Sequence, residues 1–153
     1  MKGMIFMKKL CTIFFTLLLL AFASVASANY PYYLNGNSDY VLVDGHMGTA
    51  WYVDTTSLVN QMYAPPYYKL AINVVSAHSA IGDENDFYNG GEGEITGVKT
   101  YYFYYNMDSD RMCVLDNNGD WRYLDPQGSW AATGVALSAG QMAFELAYGR
   151  SFY

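Results

Sequence analysis

VKTYYFYYN, residues 98–106, settles what kind of fold this chain makes. Successive side chains of a β-strand point to opposite faces, so Tyr101, Phe103 and Tyr105 share one face and Tyr102 and Tyr104 the other. Two further runs, RMCVL at 111–115 and WRYL at 121–124, have the same strand character. The links between them, Met107-Asp108-Ser109-Asp110 and Asp116-Asn117-Asn118-Gly119-Asp120, are built from turn residues, and Asn118-Gly119 suits a position needing positive φ. Three strands joined by links this short make an antiparallel meander.

Upstream, residues 67–77 (YYKLAINVVSA) alternate with period two, placing Tyr68, Leu70, Ile72 and Val74 on a buried face and Lys69 and Asn73 opposite. Residues 39–44 and 49–54 flank Gly45-His46-Met47-Gly48 and read as a hairpin. Asp54 is an acceptable helix N-cap and predicts a short helical turn over 55–60. Residues 81–94 (IGDENDFYNGGEGE), with five acids and four glycines, read as a long solvated loop. Residues 125–134 read as the connection to the last segment, where the period becomes helical. Ser138 and Gln141 fit a capping box, Met142 and Leu146 are four apart, and Phe144, Tyr148 and Phe152 repeat at the same spacing. Gly149 is expected to fray the last turn. The expectation is an α+β fold, an antiparallel sheet of about five strands with a C-terminal helix packed on one face.

Lys8 and Lys9, the apolar run over 10–23 and the small-x-small end Ala26-Ser27-Ala28 make a secretory signal peptide, with cleavage after Ala28. The apolar run is shorter than the roughly 20 residues a membrane-spanning helix needs, which argues against an uncleaved anchor. Cys11 lies at the start of the apolar run and not at its end, so it cannot become the lipidated first residue of a lipoprotein. The Lys-Lys start and compact leader point to bacterial export, to periplasm, cell surface or medium, with no membrane span after cleavage. Removing 1–28 leaves one cysteine, Cys113, so no internal disulfide can form. It also leaves five bases against fourteen acids, a net charge of −9. Such acidity disfavours nucleic acid as a partner, and the chain's 52% hydrophobic content excludes a disordered one. Residues 29–38 read as a flexible polar-aromatic leader, and residues 39–153 as a single domain.

The tyrosines carry the functional reading. All sixteen lie in residues 29–153, and a ring with a polar tip suits both half-wet sheet faces and recognition surfaces. If one face of the aromatic strand packs under the helix, Tyr102 and Tyr104, with Trp121 and Tyr123 of the next strands, form a candidate contact face; cross-strand aromatic pairing that only stabilises the sheet is the plainer alternative. Cys113 and His78 can be written as a nucleophilic pair, but no motif surrounds Cys113, which reads as a small apolar strand residue. Asp83, Glu84, Asp86, Glu92 and Glu94 supply oxygens for calcium, though solvated loops explain them as well. A carboxylate-dependent hydrolase has candidates among fourteen acids and nothing to select among them. No cofactor is expected.

Ala50-Trp51-Tyr52-Val53-Asp54-Thr55-Thr56-Ser57-Leu58, followed by the alternating strand at 70–75, resembles the bacterial surface-adhesin protein E family, and also short exported proteins without assigned function. Tyr52, Asp54, Ser57 and Leu58 match the family's aromatic-x-Asp-x-x-Ser-aliphatic segment; the Tyr-rich strand, Trp121 and the aromatic helix match its remainder. The resemblance implies an antiparallel sheet with a helix and attachment to host extracellular proteins. The adhesin is lipid-anchored, whereas no acylated cysteine is supplied here. Asp54 and Ser57 read as a structural corner, the carboxylate capping a turn. The resulting expectation is a non-enzymatic exported protein that binds a protein partner, or a second copy of itself as a homodimer, through an aromatic sheet face; the alternatives are the hydrolase and a calcium-stabilised module.

Overall fold

A computed structural model describes residues 29–153. The signal segment expected over 1–28 lies outside the described residues. Six strands make one antiparallel sheet in sequential order: β1 (Tyr40–His46), β2 (Thr49–Ala64), β3 (Tyr67–Ser79), β4 (Gly93–Asn106), β5 (Arg111–Leu115) and β6 (Trp121–Tyr123). Helix α1 (Glu84–Tyr88) lies between β3 and β4; α2 (Trp130–Thr133) and α3 (Val135–Tyr148) follow the sheet. The fold is thus α+β, a full meander with its C-terminal helix against the sheet, with six strands where about five were expected. The first hairpin turns on Met47 and Gly48, both at positive φ (48° and 81°), as a type I′ turn requires.

Tyr68, Leu70, Ile72 and Val74 of β3 are buried on one face with Phe103 and Tyr105 of β4 and Met112 and Val114 of β5. Helix α3 covers them with small residues: Ala136, Ala139, Gly140 and Ala143 are all buried. The rings come from the sheet and from Phe144 and Phe152, which pack on Tyr105 at centroid distances of 4.9 and 5.2 Å. The Tyr105 hydroxyl donates to the Gly140 carbonyl at 2.7 Å. A Cβ on Gly140 would stand 2.6 Å from Met112 Sδ and 2.9 Å from the Phe103 ring, so only glycine permits this approach.

The opposite face holds a second, smaller cluster at one end: Ala50, Tyr52, Val75 and Ala77 of the sheet lie under Tyr30, Leu34 and Phe87. Here the structure departs from the expected loose leader. Tyr30 packs edge-on against Phe87 at 5.3 Å, its hydroxyl accepts from the Gly48 amide at 3.1 Å, and Leu34 is 3% exposed. Asn35 bonds both the amide and the carbonyl of Gly93 at 2.8 Å, tying the leader to β4. The acidic stretch 81–94 is not wholly solvated either. Asp83 caps α1 by accepting from the Asn85 amide at 2.9 Å, and the helix buries Phe87 completely.

Two local expectations are corrected. Residues 55–60 form no helical turn; they bulge within β2, where the register jumps from Asp54–Asn73 to Val59–Ala71. The Asp54 carboxylate accepts from the amide and hydroxyl of Thr56, and Ser57 Oγ donates to the Asp54 carbonyl while accepting from the Asn73 amide at 2.8 Å. Ser57 thereby satisfies a β3 donor that the bulge deprives of a strand partner. Ser138 does not cap the final helix, because α3 starts at Val135 after Gly134, where φ is 54°. Burying Val135 and Ala136 against the sheet outweighs the local capping signal, and Leu146, expected on the packed face, is exposed. Gly149 ends α3 in the left-handed region, its amide bonding Glu145.

Replacing Gly140 by valine should lower the unfolding free energy by about 2–3 kcal/mol, because Met112 and Phe103 are fully packed and cannot retreat together. Chemical denaturation of the variant beside wild type reads this directly; unchanged stability would mean that α3 sits farther from β4.

Candidate functional site

Odd-numbered residues of β3 run along the second face, and only its distal end, Val75 and Ala77, is covered by the leader and α1. At the other end the register assembles an open surface. Met62, Lys69, Tyr104, Cys113 and Tyr123 form one row across β2 to β6, each paired with the next. Ala64, Tyr67, Asn106 and Arg111 form the row on one side; Val59, Ala71 and Tyr102 continue it on the other, where Leu115 and Trp121 also lie. Tyr102, Trp121 and Tyr123 are 37%, 41% and 38% exposed, and Tyr104 is half-buried among them.

The rings touch one another. Tyr104 stacks on Tyr67 with planes 10° apart and centroids 6.2 Å apart, and it lies 5.9 Å from Trp121. Lys69 Nζ sits 5.5 Å from the Trp121 ring centroid, and the Arg111 guanidinium 4.5 Å from that of Tyr123. A cation over an aromatic face is attracted by the ring quadrupole, so the two bases also fix the rings in orientation. No carboxylate occurs in these three rows, although residues 29–153 carry fourteen. The surface is apolar and locally cationic on an acidic protein.

All four residues named from the sequence, Tyr102, Tyr104, Trp121 and Tyr123, therefore lie on one face. Tyr67 and Arg111 complete it and were not identified; the period-two parity that places Lys69 opposite Leu70 also places Tyr67 there. Asp54 and Ser57 lie at the β2 bulge, in the hydrogen-bonded corner described above. Cys113 and His78 form no pair, since Cys113 is on the aromatic face and His78, opposite Glu94, is on the other, bonded to Thr49 at 2.7 Å. Burial pushes the Cys113 thiol up, against the lowering effect of Arg111.

Among the described residues, no three His, Cys, Asp or Glu side chains gather closely enough to hold a metal ion. Asp116 turns its carboxylate inward on its own loop, accepting from the amides of Asn118 and Asp120 at 2.8 and 2.9 Å, and these bonds hold its carboxyl below the usual range. Two shallow clefts lie elsewhere, of about 200 Å³ beside Trp51, Lys99 and Tyr101 and about 330 Å³ beside Asn35, Asn37 and Tyr40; neither is lined by a carboxylate. No helix among the described residues is long and apolar enough to cross a membrane. In comparisons with known proteins, no family model matches the chain, and no curated protein or solved structure matches it.

Burial pushes the phenols of Tyr52 and Tyr153 up to about 12 and that of Tyr105 well above its ordinary value of 10.0. The folded state then holds protons that the unfolded chain releases, so stability is complete below pH 10 and falls as pH rises from about 10 through 12. An alkaline denaturation series should show this decline together with late tyrosinate absorbance. The Tyr52 hydroxyl is buried without a hydrogen-bond partner. Tyr52→Phe should flatten the alkaline decline and raise stability near neutrality by about 1 kcal/mol, since an unsatisfied buried hydroxyl costs about 1–3 kcal/mol. A destabilised Tyr52→Phe protein would reveal a bond to that oxygen.

Proposed function

We propose that this protein is a small exported bacterial binding protein that engages a protein partner through the open half of its second sheet face. One observation carries the reading: Tyr67, Tyr102, Tyr104, Trp121 and Tyr123 stand on one face without a carboxylate among them, while Lys69 and Arg111 hold two of the rings in place. Large rings with few rotatable bonds lose little entropy on contact, and aromatic residues with arginine dominate binding hot spots. The absence of local negative charge favours a neutral or acidic partner surface over a basic one.

The signal segment expected over 1–28 supports export, and the resemblance to the surface-adhesin protein E family suggests attachment to host extracellular proteins as the specific form. The negative charge elsewhere keeps the chain dispersed while the rings make contact.

The double variant Tyr102→Ser, Tyr104→Ser removes two rings from the centre of the surface without touching the core under α3. Affinity capture with wild type and variant should show partner retention falling at least about tenfold, the loss of about 1.4 kcal/mol expected from one hot-spot side chain, with the circular dichroism spectrum unchanged. A variant that keeps every interaction of the wild type sinks this reading.

A further inference from the structure

We infer that two copies of this protein pair antiparallel along the outer edge of β4, joining their sheets into one; this does not depend on the function proposed for the aromatic face. Strand β5 pairs with β4 only from Phe103 to Asn106. Residues 94–101 therefore bond to β3 alone and direct their remaining amides and carbonyls outward. The other edges are blunted. Tyr33 bridges to Val41, and the Leu42 amide bonds the Tyr32 carbonyl at 2.9 Å, closing β1. Beyond Asp54 the outer edge of β2 is broken by two register shifts, and β6 has only three residues. β4 carries a single register shift, and along it Ile95 and Val98 are 40% and 63% exposed beside the unpaired backbone.

The bulge in β4 makes this edge complementary to itself. Ser76 faces Gly97 and Ala77 faces Ile95, so Thr96 is an extra residue. As a result Glu94, opposite His78, and Lys99, opposite Val74, share the α3 face, while Ile95 and Val98, opposite Ala77 and Val75, share the other. A two-fold axis perpendicular to the sheet keeps each copy's faces aligned. It sets Glu94 of each copy against Lys99 of the other, and Ile95 against Val98, each contact occurring twice. In an unbulged strand Glu94 and Lys99 would lie on opposite faces and could not meet this way. Oppositely charged cross-strand pairs stabilise a ladder and like charges weaken it, so a second copy is the occupant this edge fits.

Sedimentation velocity of the purified protein from micromolar to millimolar concentration tests the pairing. Wild type should show a monomer–dimer equilibrium. Lys99→Glu or Glu94→Lys alone sets like charges together twice and should raise the dimer dissociation constant about tenfold or more. The exchanged double variant, E94K with K99E, should return it to within about threefold of wild type, and this recovery also establishes that both exposed sites tolerate the changes. A protein monomeric throughout overturns the inference, as does a dimer indifferent to the single charge reversals. So does a dimer lost in Tyr102→Ser, Tyr104→Ser, an outcome that would move self-association to the aromatic face and leave the function proposed for that face standing.

Discussion

The seating of α3 on the sheet at Gly140 is the contact on which the rest depends. The sheet already supplies the bulk of the core through Tyr68, Phe103, Tyr105 and Met112, so the helix can come close only by offering small residues. The Tyr105 hydroxyl meets the Gly140 carbonyl, and Phe144 and Phe152 close around the same ring. A helix with large residues facing the sheet would ride higher and expose those rings. With one face filled so tightly, the alternate residues of the same strands are committed to the other face, and there the leader and α1 reach only one end.

That division explains why one strand pattern serves two purposes. Along β3, residues of one parity build the core, and residues of the other parity build first a minor cluster and then an uncovered aromatic surface; in β4 the bulge at Thr96 switches the parity, so that its residues stay on the faces of their β3 partners. Tyr52 and Tyr104 are both second-face rings; one is sealed under Tyr30 and Phe87, and the other is half open beside Trp121.

The meander and the division of Tyr101–Tyr105 between faces were legible because both follow from local rules, short turns and a period of two. The start of α3 was not. Ser138 and Gln141 carry a good capping signature, but burial of Val135 and Ala136 begins the helix one turn earlier, and burial is a tertiary quantity. The Asp54 segment was ambiguous in kind, since an aspartate that accepts from the amide two residues on looks alike at a helix start and at a bulge. Only the distant Asn73 amide distinguishes them. Tyr30 is buried against Gly45, Phe87 and Tyr88, all distant from it in sequence, so its immediate neighbours do not mark it as core. At the site, Tyr102, Tyr104, Trp121 and Tyr123 could be named from parity, whereas Arg111 and the boundary between the covered and open halves depend on inter-strand register.

The pinned leader has a directional consequence. The Asn29 amide bonds the Tyr88 carbonyl at 3.2 Å, and Tyr30 is locked beside it, so the described chain begins at the covered end. From Ala77 to Lys69, at about 3.3 Å per residue, the aromatic rows lie roughly 25 Å away along β3. A label, bead or carrier attached at Asn29 would therefore hold the molecule by its heel and leave the rings pointing outward.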